Sequence, residues 1–234
     1  MKVINRYKSW KRNKKILREK PEAWLFQTQN FGYIQIPKVA TRSIQECLAQ
    51  FYVEQNELIQ PKEWDKEKIK DIEKLTASHM TQKKLQDVAE QCFIFAFVRD
   101  PYERLYSAYK NKVLQPASGN GKNIFSNHGV TLGMSLGDFV DIVCEIPDEK
   151  IDRHLKSQSW FLTYEERVIP NYIGRLECFE EDWSILSKKF NLPVPEHRNK
   201  AISGEIASTK FSSLMKEQIW RRYERDFVLF AYNK

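Results

Sequence analysis

Between Phe31 and Ile36 the chain is mostly apolar, with Phe31, Tyr33, Ile34 and Ile36 forming a short run suited to a buried strand. Pro37 ends that run because proline has no N–H to donate to a ladder. From Thr41 the period changes to that of a helix, with Ile44, Cys47, Leu48, Phe51 and Tyr52 at i, i+3, i+4, i+7 and i+8. A second run, FIFAFV from Phe93 to Val98, is apolar throughout, as expected for a parallel strand covered on both faces. Asp100 as N-cap and Pro101 at the first helical position then open a helix carrying Leu105, Ala108, Tyr109 and Val113 on one side. The charge-dense stretch 53–75 places Ile69, Ile72 and Leu75 on one face of a short amphipathic helix. A polar break from Thr76 to Thr81 precedes another helix over about 81–90.

Beyond the glycine-rich loop 115–133, Ser135 opens a helix with Leu136, Phe139, Val140 and Val143 inward. Asp152 to Leu162 reads as helical, and Tyr172–Leu176 as a third core strand. That strand leads into a helix with Phe179, Trp183, Leu186 and Phe190 on its apolar face. The last helix, 212–230, repeats Met215, Ile219, Tyr223 and Phe227 every four residues, a core stripe. Strands alternate with helices, which predicts a three-layer α/β fold with a central, mostly parallel sheet flanked by helices.

Charge divides the 234 residues unevenly. Residues 1–20 carry nine Lys/Arg and one acid, for +8, and the rest of the chain sums to −1. The expected organisation is a basic N-terminal arm over 1–28 and a single domain over 29–234. The arm reads as a solvated extension, or as one making peripheral contact with an anionic surface; nucleic acid is not the expected partner. Cys47, Cys92, Cys144 and Cys178 are widely spaced with no C-x-x-C pair, and are expected to be free thiols in a reducing compartment. No signal peptide or run of transmembrane length is present, which predicts a cytoplasmic protein.

Candidate chemistry gathers at strand ends. Residues 37–43 fall where a strand's C-terminal end meets a helix N-terminus, the place where open α/β sheets bind anions. Lys38 adds a positive charge, and Thr41 and Ser43 add hydroxyls. The plain alternative is an ordinary strand-turn-helix with a surface lysine. Arg99 ends the second strand and Ser107 lies two turns into the next helix, so two strand ends offer anion ligands and suggest a nucleotide with two separated phosphates. Gly119–Lys122 lacks the Walker A spacing, and there is no HExxH, no close pair of His or Cys ligands and no G-x-S-x-G elbow, so neither a metal site nor a serine hydrolase is expected. His128 and His197 read as loop histidines, the first solvated. A group-transfer enzyme on a nucleotide, a nucleotide-dependent kinase-like enzyme on a similar fold, and a noncatalytic binding protein with a basic arm all remain open at this point.

The stretch IPKVATRSI, Ile36–Ile44, resembles the 5′-phosphosulfate-binding loop of sulfotransferases. FVRDPYERLYSAY, Phe97–Tyr109, resembles their 3′-phosphate-binding strand and helix, and is similar to that of the carbohydrate sulfotransferases (chondroitin, HNK-1 and heparan 2-O types and bacterial relatives). Weaker likeness continues through Asp152–Gln158, Tyr172–Asp182 and Tyr223–Tyr232, so it covers most of the chain from about residue 31. Arg42 is a departure, standing where many relatives carry a small hydroxyl residue.

The resemblance implies a P-loop-like fold and sulfuryl transfer from 3′-phosphoadenosine 5′-phosphosulfate (PAPS) to a hydroxyl of a carbohydrate or glycolipid, without a metal. It implies that Lys38 sits by the sulfate and bridging oxygen. The backbone N–H groups of Val39, Ala40, Thr41, Arg42 and Ser43, with the Thr41 and Ser43 hydroxyls, would hold the 5′-phosphate, and Arg99 and Ser107 the 3′-phosphate. His79 matches the place where the heparan 2-O type carries its catalytic histidine, which implies a general base, with His154 as rival. His154, Gln158, Arg175 and Glu177 are the candidates to line the acceptor side.

Overall fold

The computed structural model describes residues 16–114, 123–195 and 207–233. Most of the basic arm, His197 and the fragment Gly119–Lys122 lie outside the described residues. The chain forms two compact units, one built from Lys20–Arg99 with Phe161–Gly204, the other from Met1–Glu19, Asp100–Trp160 and Glu205–Lys234.

The first unit is built on a five-stranded sheet. Strand β1 (Glu22–Phe26) and β2 (Phe31–Gln35) form an antiparallel hairpin, paired from Phe26↔Phe31 to Glu22↔Gln35. Asn30 takes a left-handed φ of 54° in the connecting turn, a conformation its short amide side chain tolerates. Helix α1 (Thr41–Gln55) follows β2; then come α2 (Lys66–Thr76), the short strand β3 (Ala77–His79), α3 (Gln82–Ala89) and β4 (Phe93–Val98). The order across the sheet is β3-β1-β2-β4-β7, with β7 at Tyr172–Arg175. β2–β4 and β4–β7 are parallel, whereas β1 is antiparallel to both its neighbours. The sheet is therefore mixed: β1, read from the charge pattern as part of the arm, inserts against the direction of the other four.

Alternation sorts the side chains. Trp24, Phe26, Phe31, Tyr33, Phe95 and Phe97 share one face, where Phe51 of α1 meets Phe26 at 5.5 Å between ring centroids. On the same face, helix α7 (Phe179–Phe190) brings Phe190 to 4.6 Å from Phe31 and Trp183 to 6.1 Å from Phe97. Gly174 leaves room for this packing, since a Cβ there would stand 2.5 Å from the Phe97 ring. α3 packs beside β4 and a small hairpin of β5 (Thr163–Tyr164) and β6 (Arg167–Val168). The face predicted for α2 is only partly realised: Ile69 is buried, but Leu75 is 67% exposed.

The second unit is helical. α4 (Pro101–Tyr109) runs on into a π turn at Lys110–Leu114 and packs with α5 (Leu136–Cys144) and α8 (Ser213–Leu229) around Tyr102, Leu105, Phe139, Val140, Ile219 and Phe227. The expected stripe on α8 is present, with Ile219, Tyr223 and Phe227 buried and Met215 partly so. Beneath it lies a polar layer. Asp226, fully buried, accepts from the backbone N–H groups of Gln158 and Ser159, both at 2.7 Å, and so caps α6 (Gln158–Leu162) from 68 and 67 residues away. Arg104 donates to Lys156 O at 2.7 Å, and Arg222 to Asp148 Oδ1 at 2.6 Å.

The helix expected over Asp152–Leu162 is thus shorter. Asp152 Oδ1 accepts from His154 N at 3.0 Å, closing a local turn that competes with helix, and regular structure starts only where Asp226 supplies a cap. Among the described residues no helix is long and apolar enough to cross a membrane.

Candidate functional site

The C-terminal ends of β2, β3, β4 and β7 all reach one edge of the sheet, because these four strands run the same way. At the end of β2, Ile36 and Pro37 are buried and Val39 is 0% exposed, which pins the turn into the unit. On either side of Val39, Lys38 and Ala40 take positive φ values of 76° and 54°. Left-handed backbone at non-glycine residues costs of order 1–3 kcal/mol each and persists only where the surroundings impose it. The turn delivers the chain into α1 with Ala40 as N-cap, which has no side chain able to cap, and no acid occupies the first turn.

The chemical consequence follows from helix geometry. The first N–H groups of a helix have no partner within it, and a good capping side chain in place of alanine is worth about 1 kcal/mol. At α1 the amides of Thr41, Arg42 and Ser43 occupy this position, so an anion there would supply the missing acceptor. Thr41 differs from expectation in one respect. Its hydroxyl donates to Ile36 O at 2.7 Å, so its single proton closes the turn. Arg42 is exposed, while Lys38 and Ser43 are half-buried.

Arg99 follows β4 directly and is half-buried. Arg175 ends β7 and pairs in register with Val98, so the two arginines flank one strand junction at the same edge. The backbone N–H of Arg175 donates to Asp182 Oδ2 at 2.6 Å. Glu177 lies beyond it in an exposed 3-10 turn. His79 is the last residue of β3, exposed, two strands from the end of β2. At a strand spacing of 4.7–4.9 Å, that separation is about 10 Å. It lines a depression of about 300 Å³ together with Glu22, Ser78 and residues of α2.

The remaining candidates belong to the helical unit. Ser107 is half-buried in the second turn of α4. His154 is held by Asp152, whose Oδ1 lies 2.7 Å from its Nδ1. Burial pushes the Asp152 carboxyl up, but the hydrogen bonds and charge of His154 outweigh this and hold it below the usual carboxylate range. Gln158 is 0% exposed and its backbone N–H is used by Asp226. His128, read as a solvated loop residue, is half-buried and its Nε2 accepts from Asp152 N at 3.2 Å.

Two groups escaped the sequence reading. Glu22, 5% exposed, is the register partner of both His79 and Gln35. Gln45 of α1 donates to Gln35 Oε1 at 2.8 Å, tying the edge of the sheet to the helix that follows the 37–43 turn. The apolar run AWLF after Glu22 was the available signal, masked by the basic residues before it. The cysteines are free thiols, as expected; burial pushes Cys47 up to about 12, which removes it as a nucleophile.

A sequence profile described as "Sulfotransferase family" matches residues 21–233. The chain belongs to the sulfotransferase family. The match begins at β1, which places that strand inside the family's shared region. Among curated relatives, this chain is similar to "Carbohydrate sulfotransferase 12" of Mus musculus, 27% identical over 169 residues, or 60% of this chain and 40% of that protein. The protein of the same name from Xenopus laevis is 25% identical over 184 residues, 67% of this chain and 43% of its own length. The chain therefore matches less than half the length of these relatives. No solved structure matches it.

Proposed function

We propose that this sulfotransferase moves a sulfuryl group from PAPS to a hydroxyl of a carbohydrate acceptor. The observation that carries the reading is the turn at residues 37–43: a strand end, a lysine, two left-handed residues and a helix start with no capping side chain. Membership of the family favours this over a kinase-like enzyme or a noncatalytic binding protein, and the name shared by the two relatives supports a carbohydrate acceptor. The three-layer, P-loop-like architecture belongs to the same reading.

In this reading the amides of residues 39–43 and the Ser43 hydroxyl hold the 5′-phosphosulfate, whose negative charge completes the start of α1. Arg99 and Ser107 hold the 3′-phosphate; an arginine suits a planar, charge-assisted contact. In-line transfer forms a bond from the acceptor oxygen to sulfur and breaks the bond from sulfur to the bridging oxygen. The electron pair stays on the leaving phosphate, where Lys38 stabilises it. The acceptor's proton passes to a ring nitrogen of His79. Arg175, at the same sheet edge, and the exposed Glu177 serve on the acceptor side.

Calorimetry with adenosine 3′,5′-bisphosphate, the desulfated product of PAPS, tests the reading. Binding of this ligand together with transfer of labelled sulfate from PAPS to one member of a carbohydrate panel is expected. Absence of any binding by the wild-type protein overturns it.

A further inference from the structure

We infer that Glu22 is a positioning residue that orients the His79 imidazole as it takes the acceptor's proton; the inference rests on the role proposed above for His79. Three observations converge on it. Glu22 stands directly opposite His79 in the antiparallel β1–β3 ladder, and directly opposite Gln35 in the β1–β2 ladder. Side chains so paired project from the same face with Cβ atoms about 4.5–5.5 Å apart, within reach of a glutamate and an imidazole. Glu22 and His79 also line the same depression of about 300 Å³. Finally, Glu22 is 5% exposed while His79 is exposed, so the pair joins a buried carboxylate to an imidazole open to solvent.

A buried carboxylate in that place does two things. It accepts from one ring N–H, which sets the tautomer and leaves the other nitrogen to receive a proton. It also stabilises the imidazolium that forms, without taking the proton itself. The surrounding charges are compatible with this. From α2, Lys70, Glu73 and Lys74 face the depression, and Lys74 is already ion-paired with Asp71 at 2.7 Å. From β2, Tyr33 is held as a neutral phenol above its ordinary range, by burial first and by the Glu22 charge second. The row His79–Glu22–Gln35–Gln45 then links the base to α1, so the ring's position is referred to the helix that begins at the anion turn.

The test has one arm that needs no acceptor. Ring ¹⁵N shifts of His79, assigned by their loss in His79→Ala, report which nitrogen carries the proton in the neutral ring. A single dominant tautomer is expected in the wild type, relaxing toward the free-imidazole mixture in Glu22→Ala; an unchanged tautomer ratio overturns the inference. The second arm is kinetic. Glu22→Gln, which keeps the volume, should lower kcat by about 10–100-fold, the scale at which groups orienting a functional imidazole are felt. KM for PAPS and the affinity for adenosine 3′,5′-bisphosphate should not move, and Glu22→Asp should recover part of the rate. In a His79→Ala background Glu22→Gln should add nothing, because the two act as a unit. Additive losses, or a wild-type rate in Glu22→Gln, overturn the positioning role while leaving the proposed reaction standing. Failure of the wild type to bind adenosine 3′,5′-bisphosphate strikes the reaction instead, whatever the tautomer shows.

Discussion

Lys38 and Arg99 carry the sharpest expectations at the scale of single residues. Lys38 sits in a left-handed turn whose shape is imposed by buried Val39 and the Thr41–Ile36 hydrogen bond, so replacing its side chain leaves the turn's supports in place. Lys38→Ala should keep the fold and lower kcat by about 10²–10³, the usual loss for removing one preorganised charge at a transition state, or ~3–4 kcal/mol. A near-normal kcat in that variant would sink the role given to the lysine. Arg99 should discriminate nucleotides by their 3′-phosphate, a charge-assisted contact worth about 1.5–3 kcal/mol. Arg99→Ala should weaken adenosine 3′,5′-bisphosphate far more than adenosine 5′-monophosphate in calorimetry. Equal weakening of both counts against the assignment.

At the scale of elements, the informative case is a helix capped from far along the chain. α6 has only five residues, too few to hold by propensity alone, and its first amides are satisfied by Asp226 of α8. Tyr223 on α8 donates to Leu155 O at 2.8 Å, and Arg104 on α4 to Lys156 O, so two helices fix the segment that carries His154. Asp226→Ala would leave two buried N–H groups without acceptors, at about 1–3 kcal/mol each. A clear drop in Tm is expected, larger than for Asp226→Asn, which retains one acceptor oxygen. Equal Tm values for Asp226→Ala and the wild type would show that the cap carries no weight.

Over the whole molecule, the carboxylates of the helical unit determine how stability responds to acid. Burial pushes Asp148 up, but the Arg222 charge and the hydrogen bonds from Ser157 and Arg222 outweigh it, and its pKa lies below the ordinary value; Asp152 is lowered as well. A group depressed on folding contributes stability that is fully present above its unfolded pKa, near 3.9, and is lost as pH falls through the folded value. Asp226 has the opposite sign. Burial raises it, so its contribution is present in acid and fades as pH rises through its folded value, offsetting part of the trend. Urea denaturation should therefore show stability falling below about pH 4. Asp148→Asn should start lower at neutral pH and fall less steeply in acid. An acid slope identical to the wild type would remove Asp148 from the account.

Local period alone determined much of this protein. Ile44 to Tyr52, Ser135 to Val143 and the Met215–Phe227 stripe each announce a helix because 3.6-residue spacing is written in consecutive residues. FIFAFV announces a covered strand, and IPKVATRSI a strand-turn-helix junction, for the same reason: a strand end and a helix start are properties of adjacent residues. Tertiary structure decided what depends on distant partners. β1 and β3 exist as strands through pairing with each other and with β2, which no short window contains. Leu75 fits a helical period yet faces out, since period describes a stripe and not what covers it. His128 and Gln158 looked available and are engaged, because Asp152 and Asp226 reach them only in the folded chain. Glu22 lies 57 positions before His79 in sequence and directly beside it in the ladder. Register between strands is set by the packing of the whole sheet, so a pairing of this kind becomes visible only when the sheet is formed.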